Sequence, residues 1–252
     1  MICALRDFYV LRSADSAYQG GVRVAVFTIA DLHLSFGTDK PMDVFPGWSN
    51  YTDRIKTNWT RLVEEDDTVV IAGDISWAME LSETFNDFSF INALPGKKIL
   101  LKGNHDYWWT TKKKMDNYLS DNGFGTMSIL HNNFYTADGL ALCGSRGWFY
   151  DAETDADMKV LHREAGRLRM SIEPAVKAGY DPIVFLHYPP IYNNMECTEI
   201  TDILKEFGIK KCFYGHIHGG NAAKRAFIGT KDGISYKLIA CDHINFTPLA
   251  VL

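Results

Sequence analysis

Short apolar runs rich in β-branched residues alternate along the chain with apolar residues at helical spacing. The runs predict buried strands over residues 22–29, 68–72, 98–101, 127–130, 134–136, 140–143, 183–186 and 211–214. The helical spacing predicts helices over residues 55–63, 85–94, 111–119, 158–176 and 200–207. Residues 226–252 predict further strands around a Lys231-Asp232-Gly233 turn. Strands that alternate with helices indicate a layered α/β fold.

Antiparallel hairpins are predicted late in each half of the chain, the first around a tight Asp138-Gly139 turn. They suggest two mixed sheets packed together with helices outside. Residues 1–21 lack a clear pattern and end in Gly20-Gly21, which reads as a hinge. We therefore expect an N-terminal extension or an isolated strand over 1–21 and one domain over 22–252.

Length, composition and charge narrow the class of protein. The chain has 252 residues, of which 46% are hydrophobic and 23% charged, which is ordinary for a soluble globular protein. No apolar run approaches the ~20 residues that span a bilayer, so no membrane association is expected. Arg6 and Asp7 interrupt the apolar start, which is untypical of a signal peptide, so we expect a cytoplasmic protein. The net charge of -5 argues against a non-specific nucleic-acid binder.

The cysteines do not predict a disulfide framework or a thiolate metal site. There are five, an odd number, widely spaced and without a CxxC pair. We expect them to be reduced.

Five predicted strands run directly into side chains of the kind that bind metals. The segments that follow the strands are Asp31-Leu32-His33, Gly73-Asp74, Gly103-Asn104-His105-Asp106, His187-Tyr188-Pro189-Pro190 and Gly215-His216-Ile217-His218. In open α/β sheets, ligands gather outside the carboxyl ends of the strands. We therefore expect these five segments to meet in one place.

The types of residue in these segments indicate the chemistry. Imidazoles and carboxylates without a thiol suit first-row metals such as Mn, Fe, Zn or Ni. Glycines at 73, 103 and 215 allow tight turns and close approach to a bound group. The carboxylate of Asp74 has two oxygens and could bridge two ions. Two ions ~3.5–4 Å apart can hold a nucleophilic water and a phosphoryl oxygen together.

In this order, the five segments resemble those of the calcineurin-like metallophosphoesterases, over residues 22 to 218. The resemblance implies a four-layered α/β/β/α sandwich and a centre of two divalent or trivalent metal ions, with Mn or Fe favoured. It implies that the first metal is held by Asp31, His33 and His218. It implies that the second metal is held by Asn104, His187 and His216. It further implies that Asp74 bridges the two metals and that His105 contacts the phosphate and protonates the leaving group.

Each segment alone has a simpler interpretation. Asp31 and His33 could form a surface turn, Asn104 could cap the following helix, and His187 could be a satisfied core histidine. The Gly-His-x-His segment is more specific, because two histidines on a short loop commonly bind metal. The simple interpretations require five coincidences at five strand ends, so we favour the metal centre.

Several residues near these loops have two open interpretations. Four aromatic side chains could stack on a nucleobase or an aromatic leaving group, although we favour packing of the loops: Trp48, Tyr107, Trp108 and Trp109. Lys112-Lys113-Lys114 is expected to be a solvated helix face. Arg146 could bind the substrate phosphate through its planar guanidinium, or it could form a structural ion pair.

The predicted activity is hydrolysis of a phosphate ester by a hydroxide that two metal ions activate. The metals and His105 would neutralise charge on the phosphoryl oxygens, and His105 would then protonate the departing oxygen. Asp106 would orient His105. The candidate substrates are phosphodiesters or nucleotides, phosphomonoesters, phosphoproteins and, less favoured, nucleic acids. The rival hypothesis is a metal-binding or scaffolding protein of the same fold that has lost catalysis, and retention of Asn104 and His105 weighs against it.

Overall fold

A computed structural model describes residues 24–148 and 154–252. The predicted extension over 1–21 lies outside these residues. The strands are β1 Val26–Ile29, β2 Thr68–Ala72, β3 Lys97–Leu101, β4 Met127–Ile129, β5 Tyr135–Ala137, β6 Leu140–Ser145, β7 Asp181–Leu186, β8 Ile191–Tyr192, β9 Met195–Glu196, β10 Lys211–Tyr214, β11 Gly229–Lys231, β12 Ile234–Leu238 and β13 Leu249–Ala250. The α-helices are α1 Tyr51–Leu62, α2 Phe85–Asn92, α3 Lys112–Asp121, α4 Asp155–Lys177, α5 Thr198–Glu206 and α6 Gly220–Ala223, with 3-10 turns at Met42–Val44 and Leu81–Thr84.

The first sheet has five strands in the order β13-β1-β2-β3-β4. Strands β1 to β4 are parallel, and β13 pairs antiparallel with β1 at one edge. All five residues of the central strand β2 are buried. A strand that is covered on both faces is expected to be apolar throughout, which is why the run 68–72 could be predicted.

The second sheet has six strands in the order β11-β12-β10-β7-β6-β5. Its four inner strands are parallel, and β5 and β11 are antiparallel edges. Asp138-Gly139 and Asp232-Gly233 close the two edge hairpins with positive φ at both residues, as such two-residue turns require. Both sheets are therefore mixed, as predicted. Both hairpins belong to the second sheet, however, and the antiparallel edge of the first sheet comes from the end of the chain.

Three buried clusters divide the molecule into four layers. Between the sheets lie apolar side chains from both, such as Val70 and Leu101 facing Phe185 and Phe213. The outer face of the first sheet packs on α1, α2 and α3, and that of the second packs on α4 and α5. This is the predicted α/β/β/α sandwich. None of the helices in the described ranges combines the length and apolar character needed to cross a membrane.

The two sheets are joined at the edge where their parallel strands end. The N–H of Ala30, just after β1, donates to Ile239 O just after β12, and Cys241 N–H donates back to Ala30 O. The loops that follow β1, β2 and β3 therefore face those that follow β7 and β10 across the sandwich. This edge contains the five predicted ligand segments.

Candidate metal centre

The backbone turns sharply at the ends of the ligand-bearing strands. Four of the expected ligands have left-handed backbone conformations: Asp31 (φ 63°), His33 (φ 46°), Asp74 (φ 50°) and His216 (φ 71°). Such conformations cost roughly 1–3 kcal/mol each and persist where surrounding contacts impose them. The turns are held by Asp31 N–H donating to Gly73 O and by His33 N–H donating to Asp74 O, both at 2.9 Å. Strain of this kind clusters at functional sites.

Two glycines let the loops approach one another more closely than any side chain would allow. A Cβ on Gly103 would lie 2.1 Å from both N and Oδ1 of Asp74. A Cβ on Gly215 would lie 2.4 Å from Oδ2 of Asp31. The absence of a side chain at these positions is therefore what brings the carboxylates against the neighbouring loops.

One set of expected ligands joins the two sheets through Asp31, His33 and His218. Nε2 of His33 lies 3.1 Å from Nε2 of His218. Nε2 of His218 lies 3.3 Å from Oδ1 of Asp31. One ligand atom from each residue falls within 4.8 Å of the others, so these three residues form one candidate metal site.

A second set surrounds the side-chain oxygen of Asn104. This Oδ1 lies 2.7 Å from Nε2 of His187 and 2.8 Å from Nδ1 of His216, and the two nitrogens are 3.2 Å apart. Ligand atoms of Asp74, His187 and His216 also lie within 4.8 Å of one another. These four residues form the second candidate site.

The Asp74 carboxylate faces both sets. Its Oδ2 lies 3.5 Å from Nε2 of His187 in one set and 3.7 Å from Nε2 of His33 in the other. Its Oδ1 accepts a hydrogen bond from His105 N–H at 2.8 Å. Asp74 therefore occupies the position expected of a residue that bridges two cations.

The donor atoms fit metal ions in spacing and in chemistry. Around an ion bound at ~2.0–2.2 Å, neighbouring ligand atoms lie roughly 3–3.5 Å apart. The separations of 3.1 and 3.3 Å in the first set fall in this range, whereas Oδ1 of Asn104 lies closer to its two histidines, at 2.7 and 2.8 Å. The donors are nitrogen and oxygen. Cys241 is the cysteine in contact with the site, but its Sγ donates to the backbone oxygen of Asp31. Burial raises the pKa of that thiol well above its usual range, so Cys241 stays protonated.

The electrostatics of the site favour bound cations. Burial lowers the pKa of both His187 and His216 to about 3 and, with repulsion from His218, holds the pKa of His33 well below its usual value. These imidazoles are neutral, the form that coordinates metals. Burial and then the neighbouring Asp31 raise the pKa of Asp74, because two buried carboxylates repel each other. Cations between them would relieve this repulsion.

Asp242 belongs to the site although the sequence analysis missed it. Its Oδ1 lies 3.0 Å from Nδ1 of His218, and its Oδ2 accepts a hydrogen bond from Gly219 N–H at 2.8 Å. Burial lowers the pKa of His218, but Asp31 and Asp242 more than offset this effect and raise that pKa to about 10. The apolar residues 238–241 run into Asp242, so the strand-end pattern of the other ligands could have identified it.

Trp77, in the loop after Asp74, is a second residue that was missed. Its ring stacks on His33 with centroids 4.9 Å apart and an angle of 25° between the ring planes. It also contacts His105, with centroids 4.5 Å apart. Trp77 therefore fixes the position of two histidines at once. In the sequence, the feature that could have identified Trp77 was its position in the loop that follows the buried strand β2.

His105 lies at the mouth of the centre. Its half-buried ring is 5.7 Å from that of His33, measured between centroids. Its Nδ1 lies 3.5 Å from the hydroxyl of Tyr107. Burial lowers the pKa of His105. The ring is thus close to the candidate metal ligands while its main-chain N–H holds Asp74.

Asp106 is fully buried and joins two loops, the one that follows β2 and the one that follows β3. Its Oδ1 accepts hydrogen bonds from Ile75 N–H, Ser76 N–H and Trp108 Nε1–H. Its Oδ2 accepts from Gly103 N–H at 2.7 Å. None of these four donors belongs to His105, whose orientation Asp106 was expected to control. The contacts instead fix the segments around Asp74 and Asn104.

Arg146 takes part in an ion pair. Its Nη2 lies 3.4 Å from Oε1 of the buried Glu164, and its guanidinium lies over the Trp148 ring.

In the lysine run that was expected to be a solvated face, Lys112 pairs with Asp116 on the exposed side of α3.

The aromatic residues singled out in the sequence differ in exposure. Trp48 and Trp108 are buried, whereas Tyr107 is 52% exposed. Trp48 packs edge-on against His33 and His218. Trp109 is partly buried and contacts Trp108. Tyr107 is therefore the aromatic side chain of this group that is most accessible to a substrate.

Comparison with known proteins places the chain among phosphoesterases. Residues 24–220 match the family model described as calcineurin-like phosphoesterase. No curated protein matches the chain.

Two solved structures share the fold at low identity. Phosphopantetheinyl hydrolase from Mycobacterium tuberculosis is 13% identical over 92% of this chain and 97% of its own, with a TM-score of 0.53. TT1561 of Thermus thermophilus is 11% identical over 78% of this chain and 83% of its own, with a TM-score of 0.52. A third similar structure is AQ665 from Aquifex aeolicus, a protein of unknown function, which is 18% identical over 90% of this chain and 96% of its own, with a TM-score of 0.49.

Proposed function

Because the chain belongs to the calcineurin-like phosphoesterase family, we propose that it hydrolyses phosphate esters with two metal ions. The observation that carries this proposal is the position of Asp74, whose Oδ2 faces His33 in one ligand set and His187 in the other. Phosphodiesters, phosphomonoesters and nucleotide-like esters all belong to the proposed substrate class.

The proposed ligands divide into two sets that share Asp74. One ion would be held by Asp31, His33 and His218, and the other by Asn104, His187 and His216. When bound, such ions polarise a phosphoryl oxygen and lower the pKa of water. Nitrogen and oxygen donors without thiolate support Mn or Fe, with Zn and Ni as further candidates.

We assign His105 the transfer of a proton to the departing oxygen and a hydrogen bond to the phosphoryl group. Its ring is held by Trp77 on one side and approached by Tyr107 on another. Although burial lowers the pKa of His105, a phosphate anion beside the ring favours the protonated form. A histidine that is protonated because of the phosphate beside it loses its proton readily once the leaving oxygen gains negative charge.

We assign Asp106 a positioning role, in place of a direct role in proton transfer. Its carboxylate accepts hydrogen bonds from the loops that carry Asp74 and Asn104. It would act on the reaction through the metal ligands, by keeping both loops in place.

A cytoplasmic location remains part of the proposal. In the described part of the chain, Cys143, Cys197, Cys212 and Cys241 are buried free thiols. Reduced cysteines are typical of proteins that work in reducing compartments.

A panel of metals and substrates tests the proposed function. Chelated protein is reloaded with Mn, Fe, Zn or Ni and assayed with a chromogenic phosphodiester and a chromogenic phosphomonoester. We expect turnover that depends on metal and saturates near two ions per chain. Tight binding of metal without turnover of any ester would instead favour a scaffolding protein. A single ion per chain would contradict the two-metal proposal.

A further inference from the structure

A second cleft lies beside the candidate metal centre, at the same edge of the sandwich. It occupies about 280 Å³, including its open mouth, between the ends of β3 and β6 and helix α4. Three cationic side chains line it: Lys102, Arg146 and Arg167. None of these three is among the expected metal ligands, so the cleft calls for its own explanation.

The cleft holds more positive than negative charge. Glu164, whose side chain is only 1% exposed, is the acidic residue that lines it. Its Oε1 contacts both Arg167 Nη1, at 2.6 Å, and Arg146 Nη2, at 3.4 Å. Lys102 forms no ion pair with any residue in the described ranges. One carboxylate therefore faces three cations, and partly buried cations without partners are costly.

Arg146 also has a donor that its protein neighbours do not use. Its Nε is buried and has no hydrogen-bond partner among residues 24–148 and 154–252. Buried donors are nearly always paired, and an unpaired one calls for an explanation such as a bound water or ion. An anion in the cleft would offset the excess charge of the three side chains.

The backbone connects this cleft to the second candidate metal site. Lys102 is two residues before the proposed ligand Asn104. The carbonyl of Arg146 accepts hydrogen bonds from His187 N–H at 3.2 Å and Tyr188 N–H at 2.9 Å. One substrate molecule could therefore place groups in both locations.

We propose that the cleft binds a second anionic group, a phosphate or a carboxylate, on the substrate whose ester phosphate lies at the metal centre. This inference rests on the proposed function and narrows it to phosphate esters that carry another anion. The enclosed space of the cleft is only about 10 Å³, roughly enough for one water molecule, so the anionic group would lie at its open mouth. Arginine and lysine are the residues that recognise such oxygens.

Binding of simple anions to the metal-free protein tests the cleft without requiring catalysis. Calorimetric titrations with inorganic phosphate and with malonate compare the unaltered protein with Lys102→Gln, which removes a charge but leaves the Glu164 ion pairs intact. We expect Lys102→Gln to weaken binding about tenfold, as for loss of one hydrogen bond between charged groups. Lys102→Arg should retain binding. Whichever anion binds more tightly identifies the chemistry of the substituent.

Arg169→Gln is the matched control, because Arg169 lies on the same helix α4 as Arg167 but pairs with Glu206 on the exposed surface. It should bind anions like the unaltered protein. Equal anion binding by all variants, or no binding at all, would overturn the proposed cleft.

The metal-loaded protein provides a second measurement. Pyrophosphate should inhibit turnover more strongly than phosphate, and Lys102→Gln should remove most of this difference. Anion binding that depends on Lys102 in a protein without turnover would support the cleft and reject the proposed function. If the protein turns over esters but Lys102→Gln changes neither anion binding nor inhibition, the proposed anion site in the cleft is wrong and the proposed function is unaffected.

Discussion

Asp242 Oδ1 lies 3.0 Å from Nδ1 of His218, and Nε2 of the same ring faces Asp31 Oδ1 at 3.3 Å. A carboxylate that accepts from the far nitrogen of a metal-binding imidazole fixes its tautomer and its orientation. Asp242 lies beyond residues 24–220, which match the family model. The C-terminal segment of the chain is therefore part of the candidate site.

Asp242→Asn should weaken metal binding at the site formed by Asp31, His33 and His218. The amide lacks the negative charge that makes the imidazole a stronger ligand, and changes of this kind typically reduce metal affinity ~10–100-fold. Competition titrations with a chelator would measure the loss. Asp232→Asn is the matched control, because Asp232 lies in the β11–β12 turn with φ 51°, a conformation that asparagine tolerates. Unchanged affinity in Asp242→Asn would contradict the assigned role.

The proposed bridging role of Asp74 predicts different results for substitutions of Asp74 and of His218. Asp74→Asn should reduce occupancy at both metal sites and abolish most turnover, because Oδ2 faces both ligand sets and a neutral amide bridges cations poorly. His218→Ala should mainly affect one ion. Metal content by elemental analysis, measured over a range of metal concentrations, separates the two patterns. Full occupancy and full turnover in Asp74→Asn would show that the ligand assignment is wrong.

Asp106→Asn should destabilise the protein. The carboxylate accepts four hydrogen bonds in a fully buried position, and an amide presents N–H groups to at least one of those donors. An unpaired buried donor costs ~1–3 kcal/mol, which thermal unfolding of the metal-free protein would detect. Asp116→Asn removes only an exposed pair with Lys112 and should stay within ~0.5 kcal/mol. Normal stability with lost turnover would instead favour the first expectation, that Asp106 orients His105.

The architecture could be predicted because its signals are local. Strands β2 and β10 lie over the predicted residues 68–72 and 211–214, since each is a buried run bounded by polar residues. The proximity of the strand-end residues could be predicted because the carboxyl ends of parallel strands lie at one edge of a sheet. The two-residue strands β8 and β9 were missed, because they are too short to produce an alternating pattern.

The contacts within the site could not be predicted, because they join residues far apart in sequence. Asp106 accepts hydrogen bonds from residues 30 and 31 positions earlier, and Asp242 meets His218 across 24 positions. Arg146 pairs with Glu164 on α4, which sequence spacing did not indicate. The polar partner that a side chain contacts depends on how the layers pack against each other.

The last prediction separates proton donation by His105 from metal binding. In His105→Ala, metal content should stay unchanged, because we propose Asn104, whose Oδ1 contacts His187, as the ligand at this turn. His105 contributes its main-chain N–H to Asp74, which the substitution keeps. Turnover of an ester with a poor leaving group, such as an alkyl phosphate, should fall ~10²–10⁴-fold, the usual contribution of general acid catalysis. A nitrophenyl ester should lose less, because nitrophenolate departs without a proton.

Tyr107→Phe is the matched control for this comparison. Its hydroxyl lies 3.5 Å from Nδ1 of His105, at the limit of a hydrogen bond, so its removal should change both rates only slightly. Equal losses on the two leaving groups in His105→Ala would indicate that His105 stabilises charge on the phosphoryl oxygens and does not donate a proton. Unchanged rates on both would remove His105 from the reaction while leaving the metal centre intact. Loss of metal from His105→Ala would instead make the imidazole a ligand, and Asn104 would then need a different role.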